Sequence, residues 1–245
     1  MSQKIISIVK EYSDKEGLGL SDEMLRALDT YAAMLVKTNE VMNLTNITDD
    51  EGIAVRHFID SLTLVPYIRE EQKRAGREDL CIIDVGTGAG FPGIVLKIAV
   101  PDIRLTLLDS LQKRLNFLDE VSSALGLENV KTIHGRAEDA GHDPSLREKY
   151  DVSCARAVAN LPVLCEYCLP FVSKGGAFLA MKGNVDDEEK ASGKALKILG
   201  GEKERTDRFL LPGTDMNRSI VVVRKIRSTP SRYPRQAGKP SKNPL

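Results

Sequence analysis

An apolar segment that ends in a glycine-rich loop, residues 81–93, constrains the fold of this chain more than any other feature. Its first five residues are apolar except for Asp84, which is typical of a strand buried on both faces of a parallel sheet. Gly86, Gly88 and Gly90 follow, and glycine permits tight turns and close approach of the backbone to a ligand. A proline near the end suits the first turn of a helix. The segment therefore predicts a strand, a ligand-binding loop and a helix.

Two kinds of cofactor fit this loop. An acid two residues before a G-x-G-x-G loop is typical of enzymes that bind S-adenosylmethionine, in which the Asp84 carboxylate would orient the methionine part. The spacing of Gly88, Gly90 and Gly93 also matches the G-x-G-x-x-G fingerprint of dinucleotide binding. The loop alone leaves both cofactors open, with a purely structural turn as a third alternative.

The second predicted strand, residues 103–108, ends in Asp109, about twenty residues after the loop. An acid at that point can accept hydrogen bonds from both hydroxyls of a ribose, which either cofactor would use. The alternative is a solvated strand end. The next helix is expected to begin with Ser110 as its N-cap and to end near Gly126.

Later apolar segments predict a doubly wound α/β sheet. Strands are expected over 130–134, 151–157 and 177–181 with helices between them, so ligand groups should collect at the carboxyl ends of parallel strands. The segments 208–211 and 219–223 are too close for a helical crossover and should form an antiparallel hairpin. Seven strands with a reversed final hairpin favour the methyl donor over a dinucleotide.

The residues before the glycine loop are predicted to be mostly helical. Ser21 should cap a helix with one apolar face, and residues 55–65 should form a further helix from which Arg56 and His57 project. Residues 70–79 read as a charged linker.

Length and composition set the organisation of the chain. At 245 residues with 42% hydrophobic content, the chain can form one large domain or one domain with an appendage. We divide it into a helical cap (1–73), a sheet domain (74–228) and a tail (229–245). No apolar run is long enough for a membrane span and no signal sequence is evident, so a cytoplasmic protein is expected. The pair Cys165 and Cys168 lacks a second pair for a zinc site, so reduced structural thiols are expected.

The zero net charge of the chain hides an asymmetry. Residues 217–245 hold eight of the 35 basic residues and no acid, so the rest of the chain is acidic. A basic tail on an acidic body predicts a polyanionic partner. The alternative is a tail that folds back onto the acidic body.

Across its length the chain resembles the bacterial enzymes that methylate guanine N7 in small-subunit (16S) ribosomal RNA, historically called the glucose-inhibited division protein B family. The resemblance is carried by residues 43–48, 56–62, 84–93, 136–138, 156–159, 232–240 and 243–245. Many methyltransferases share the glycine loop, whereas the motif around His57 and the Arg-Tyr-Pro-Arg tail are specific. The resemblance implies a class I S-adenosylmethionine-dependent, Rossmann-like fold with an N-terminal helical cap.

Residue roles follow from the resemblance together with the loop pattern. The expected cofactor-binding residues are Asp84, Gly86, Gly88, Gly90, Phe91, Asp109, Ser110, Leu111, Ala137, Glu138 and Arg156. The residues expected to contact RNA are Arg56, His57, Arg156, Arg232 and Arg235. For Arg156 the alternative is an ion pair with Asp84 or Glu138. His57 is expected to position structure or RNA.

The methyl transfer implied by the resemblance does not require acid–base groups on the protein. Guanine N7 carries an in-plane lone pair and no proton, so its attack on the methyl group needs no general base, and neither a catalytic residue nor a metal is expected. N7 lies in the deep major groove of A-form RNA, so the target guanine should be unpaired or splayed out. A monomer acting on the small subunit or its assembly intermediate is expected. The other classes left open are a nicotinamide-dependent oxidoreductase and a non-catalytic RNA-binding assembly factor.

Overall fold

The computed structural model describes residues 3–245, whose sheet has seven strands in the order β3-β2-β1-β4-β5-β7-β6. The strands are β1 (Cys81–Val85), β2 (Arg104–Asp109), β3 (Val130–His134), β4 (Tyr150–Arg156), β5 (Val172–Lys182), β6 (Gly201–Leu210) and β7 (Asn217–Lys225). The first five strands pair in parallel, and β7 runs antiparallel to both β5 and β6. The predicted doubly wound sheet with a reversed hairpin is confirmed.

The two strands that differ most from expectation, β5 and β6, are both longer than predicted. β6 is an edge strand whose sequence, GEKERTDRFL, is mostly charged and partly exposed. Charged residues are common on edge strands because they prevent pairing with other chains, and they also hide the strand from an apolar pattern.

Helices surround this sheet and precede it. They are α1 (Gln3–Lys15), α2 (Asp22–Met42), α3 (Asp50–Gly52), a π-helix (Ile53–Ile59), α4 (Asp60–Leu62), α5 (Val65–Ala75), α6 (Gly93–Ala99), α7 (Gln112–Ala124), α8 (Ala137–Ala140), α9 (Leu161–Cys168), α10 (Asp186–Leu199) and α11 (Lys239–Lys242). As expected, the Ser21 hydroxyl accepts the N–H of Met24 and caps α2. The N-cap of α7 is Leu111, one residue later than predicted.

The helix expected over 55–65 is present as part of an uninterrupted helical run over 50–62, whose middle (Ile53–Ile59) is a π-helix, and α5 begins at Val65. The expected linker over 70–79 is wrong in its first part, because α5 continues to Ala75. The Glu71 carboxylate on this helix is buried and accepts from the Arg224 guanidinium of β7 at 2.7 Å. From sequence alone this charged segment resembles a linker, because the arginine that neutralises Glu71 lies far away in the chain.

The helical cap packs directly against the glycine loop and one face of the sheet. Leu28 and Tyr31 of α2 share a buried cluster with Leu107 of β2. The Tyr31 hydroxyl donates to the carbonyl of Ala89 in the loop. A Cβ at Gly90 would lie 2.6 Å from the Tyr31 hydroxyl oxygen, so glycine there allows the cap to approach.

The tail (229–245) folds back onto the body, which was the second alternative for it. Tyr233 is buried, and the Arg147 guanidinium donates to the carbonyls of Thr229 and Tyr233 at 2.7 and 2.8 Å. All four cysteines are free thiols. Over residues 3–245, none of the helices is both long and apolar enough to span a bilayer.

Candidate functional site

A cavity of about 470 Å³ opens at the carboxyl ends of β1, β2, β3 and β4, and we call it the first cavity. Its walls are formed by Val85, Gly86, Leu108, Asp109, Ser110, Arg114, Gly135, Arg136, Ala137, Glu138, Ala157, Val158, Ala159, Tyr167, Gly238 and Ser241. This edge of a parallel sheet is where doubly wound folds bind ligands. The volume falls in the range of about 300–1,000 Å³ usual for small-molecule sites.

The glycine loop and Asp109 shape one side of the first cavity. Gly86 and Gly88 have φ values of +71° and +60°, a region in which only glycine is unstrained. The Asp109 carboxylate accepts the N–H of Gly88 through one oxygen and the N–H of Leu111 through the other, both at 2.9 Å. The loop is thereby held open beside a buried carboxylate.

Asp84 supports the loop from beneath. One of its carboxylate oxygens accepts from the Thr87 hydroxyl at 2.7 Å and from the Gly93 N–H at 2.9 Å. The other oxygen, Oδ1, is buried without a hydrogen-bond partner. Burial raises the pKa of this carboxyl to about 6. Asp84 does not line the first cavity, so in this structure it acts on the conformation of the loop.

The structure brings some of the predicted cofactor residues together and separates others. Those that line the first cavity are Gly86, Asp109, Ser110, Ala137 and Glu138. Gly90 packs against Tyr31 of the cap. The Phe91 ring stacks on the His57 ring at 4.4 Å between centroids, away from this cavity. Leu111 contributes its N–H to Asp109, and Arg156 lines a different cavity.

Several residues that line the first cavity were not predicted from the sequence. Ala157 adopts a φ of +56°, a left-handed conformation that is uncommon for residues other than glycine. A Cβ at Gly86 would lie 2.8 Å from the Val158 side chain, so these two walls are in close contact. Tyr167, Gly238 and Ser241 come from distant parts of the chain and carry no local signal.

A second cavity, of about 380 Å³, lies between the cap and the sheet. It is lined by Ile47, Arg56, His57, Asp60, Arg156, Ala157, Met181, Lys182, Gly183 and Arg218. Ala157 is common to both cavities, so they meet at this residue. Four arginine or lysine side chains line the second cavity, whereas two, Arg114 and Arg136, line the first.

One buried carboxylate organises two of these cations. Asp60 accepts from the Arg156 guanidinium at 3.0 Å through Oδ2 and from the Arg218 Nε at 2.8 Å through Oδ1. Arg156 also donates to the carbonyl of Arg56 at 3.1 Å and lies 5.1 Å from the centre of the Phe91 ring. The ion pair of Arg156 is therefore with Asp60, and not with Asp84 or Glu138 as the alternative had it.

His57 is held as a neutral ring. Its Nε2 lies 2.9 Å from the Thr45 hydroxyl and its Nδ1 lies 3.4 Å from an Arg156 nitrogen. Because a guanidinium only donates, Nδ1 is the acceptor and the ring proton belongs on Nε2. Burial, assisted by the charge of Arg156, lowers the pKa of His57 to about 3.

The remaining predicted RNA residues have different surroundings. Arg56 is exposed at the rim of the second cavity. Arg232 is exposed and lies over the Tyr233 ring at 5.2 Å. Arg235, which was expected to contact RNA, donates its guanidinium at 2.6 Å to the buried Glu166 carboxylate.

Comparison with known proteins gives the family. A model of the family described as rRNA small subunit methyltransferase G matches residues 24–215. The chain belongs to this family. A ribosomal RNA small subunit methyltransferase G from Acetivibrio thermocellus is 51% identical over 242 residues, covering 99% of this chain and 97% of the relative. One from Alkaliphilus metalliredigens is 47% identical, covering 97% of this chain and 98% of the relative.

Solved structures agree with this family in fold. YcgJ from Bacillus subtilis has a TM-score of 0.51 at 14% identity, covering 69% of this chain and 99% of that chain. TrmN from Thermus thermophilus has a TM-score of 0.50 at 16% identity, covering 71% and 53%. The fold is that of class I S-adenosylmethionine-dependent methyltransferases, as expected.

S-adenosylmethionine is the cofactor of the methyltransferase G family, so the dinucleotide alternative is wrong for this chain. The residues present fit that cofactor. The first cavity is lined by the buried carboxylate of Asp109, a group able to accept hydrogen bonds from ribose hydroxyls, and by Gly86, which has no side chain to fill it. Gly88 does not line this cavity, and its N–H is bound to Asp109.

Proposed function

We propose that this protein transfers a methyl group from S-adenosylmethionine to N7 of a guanine in 16S ribosomal RNA, by direct attack and without a general base. The observation that carries the proposal is the second cavity, which meets the first at Ala157 and offers cations but no unpaired base.

Asp60 and His57, the carboxylate and the imidazole that line the second cavity, are both engaged. Both oxygens of Asp60 accept from arginines, and the His57 lone pair at Nδ1 faces the Arg156 guanidinium. A pKa lowered to about 3 makes His57 a much weaker proton acceptor than an ordinary histidine. A nucleophile that first had to lose a proton would therefore lack an effective general base in this cavity.

Guanine N7 suits such a cavity because it has a lone pair and no proton. When bound, S-adenosylmethionine supplies the methyl group on a positively charged sulfur. The contribution of the protein is then to hold the base in line with the first cavity and to exclude other orientations. Positioning of this kind can lower a barrier by up to about 7–11 kcal/mol.

The surroundings of the second cavity suit a folded RNA. Arg56 is exposed at its rim and can contact phosphate without reading sequence. Because N7 is inaccessible in A-form helices, the guanine would be unpaired or extruded. In this proposal the cap (1–73) brings Arg56 and His57 to the sheet domain (74–228). The protein acts as a monomer in the cytoplasm on the small subunit or its assembly intermediate.

The test is to map the methyl group. Small subunits or 16S RNA that lack 7-methylguanosine are incubated with the protein and S-adenosylmethionine labelled in its methyl group. Borohydride reduction followed by aniline cleaves RNA at 7-methylguanosine, so one new cleavage site is expected at a guanine. Label in the RNA without a new cleavage site would reject N7 as the acceptor, and absence of label from both substrates would reject the RNA substrate.

A further inference from the structure

We propose that the tail (229–245) is a wall of the cofactor site, with Gly238 and Ser241 in contact with bound S-adenosylmethionine. On this proposal, docking of the tail and binding of the cofactor stabilise each other. The proposal rests on the family's cofactor and is independent of which RNA atom receives the methyl group.

The end of the tail is joined to the first cavity by two hydrogen bonds. The Gly238 N–H donates to the Glu138 carboxylate at 2.8 Å. The Ser241 hydroxyl lies 2.8 Å from the Tyr167 hydroxyl. All four residues line the first cavity, so a ligand that fills it meets the tail as well as the strand ends.

A buried ion pair holds the tail just before these contacts. Glu166 accepts the backbone N–H of Arg235 at 2.7 Å and its guanidinium at 2.6 and 2.9 Å. The Glu166 side chain is 1% exposed, and removing one partner of such a pair leaves a buried charge. Glu166 precedes Tyr167 on α9, so the ion pair and the cavity wall share one helix.

Coupling follows from these shared contacts. If the tail leaves, Glu166 and the buried Glu138 each lose a donor, and the first cavity loses two of its walls. A ligand that contacts only the docked tail must stabilise docking by the free energy with which it prefers that state. S-adenosylmethionine should therefore bind less tightly when the tail is released, and the tail should open less often when the cofactor is bound.

Two arginines of the tail offer a matched test by calorimetry. Arg235→Ala and Arg232→Ala each remove one positive charge from the same segment, but only Arg235 holds Glu166. We expect Arg235→Ala to raise the Kd for S-adenosylmethionine at least about tenfold and Arg232→Ala to change it less than about twofold. Equal effects of the two substitutions would overturn the proposal, because charge alone would then explain them.

A second pair of variants leaves the buried ion pair intact. Ser241→Ala and Tyr167→Phe each remove the same hydroxyl–hydroxyl contact, and Ser241 is exposed, so the fold should persist. Each should raise the Kd by about two- to tenfold, and the double variant by no more than the larger single effect. Wild-type affinity in Ser241→Ala would contradict the proposed contact even if Arg235→Ala did not fold.

Trypsin supplies a readout that needs no RNA. It cleaves after Arg232, Arg235 and Lys242 when the tail is undocked, and the sites after Arg232 and Lys242 are present in both the wild-type protein and Arg235→Ala. Release of the tail is therefore followed at those two sites. Saturating S-adenosylmethionine should slow release of the tail from the wild-type protein several-fold and should have little effect in Arg235→Ala. Equal cleavage rates with and without cofactor in the wild-type protein would show that docking and binding are not coupled.

Discussion

The two cavities that meet at Ala157 are built in different ways. The first is bounded mainly by backbone at strand ends and by the carboxylates of Asp109 and Glu138. The second is bounded by cationic side chains, two of which, Arg156 and Arg218, are held by the carboxylate of Asp60. The first therefore depends on local backbone conformation and the second on ion pairs between distant segments. Substitutions at the two cavities should therefore have different effects. Those at the first should weaken cofactor binding, and those at the second should slow RNA methylation without weakening cofactor binding.

The largest effect is expected from Gly88→Val, which tests whether the first cavity depends on the backbone conformation of the glycine loop. A side chain at a φ of +60° is strained, and relief of that strain would move the loop and the Asp109 contact. We expect the Kd for S-adenosylmethionine to rise by up to about 100-fold by calorimetry. Gly126→Val is the matched control, because Gly126 has the same φ and equally open space but lies at the end of α7. If both variants lost affinity equally, global destabilisation would be the cause.

Asp60→Asn tests whether the ion pairs of Asp60 maintain the second cavity. Without the negative charge, Arg156 and Arg218 lose their common partner, and the second cavity should lose its shape while the first keeps its own. We expect the methylation rate to fall about tenfold or more, with cofactor affinity unchanged within about twofold. Asp187→Asn, at a fully exposed position, is the control. A large loss of cofactor affinity in Asp60→Asn would mean that the cavities are not separable.

His57→Ala sharpens the contrast between positioning and proton transfer. Because His57 is neutral and its Nδ1 faces Arg156, the variant should keep measurable methyl transfer, reduced by less than about tenfold. Single-turnover rates at saturating RNA would measure this. Complete loss of transfer, with intact folding and RNA binding, would assign His57 a direct chemical role.

The same variant has a signature in acid. The pKa of His57 is about 3 in the folded state and 6.5 ordinarily, so between these values the unfolded chain binds the extra proton. Wild-type stability should therefore fall as the pH drops from about 6.5 towards 3. His57→Ala should lose less stability over that window, measured as the change in Tm with pH. The Asp84 carboxyl titrates in both proteins and cancels in the comparison.

Arg232→Ala should have the smallest effect. Its exposed guanidinium is free to contact a phosphate, unlike that of Arg235. Removing one phosphate contact should flatten the dependence of log affinity on log salt by up to about 0.7–0.9. RNA binding measured at two or more salt concentrations gives the slope. An unchanged slope would leave the tail with a structural role only.

Prediction from sequence was most successful where the signal was local. The positions of β1 and β3 and the Ser21 cap are confirmed, because apolar patterns and capping chemistry act over a few residues. The linker predicted over 70–79 was wrong in part, and the pairing of Arg235 with Glu166 was not predicted. In both cases an acid and an arginine pair across more than sixty residues of chain.

By itself the sequence determined the doubly wound sheet, the glycine loop with Asp109 beside it, and through its motifs the family. Only the tertiary structure decided that Asp60 pairs with Arg156, that His57 is a buried neutral ring, and that Gly238 and Ser241 complete the first cavity. The physical reason is the distance along the chain over which the relevant interactions act. Strand and turn preferences are set by neighbouring residues, whereas burial, pKa and ion pairing depend on which distant segments the fold brings into contact.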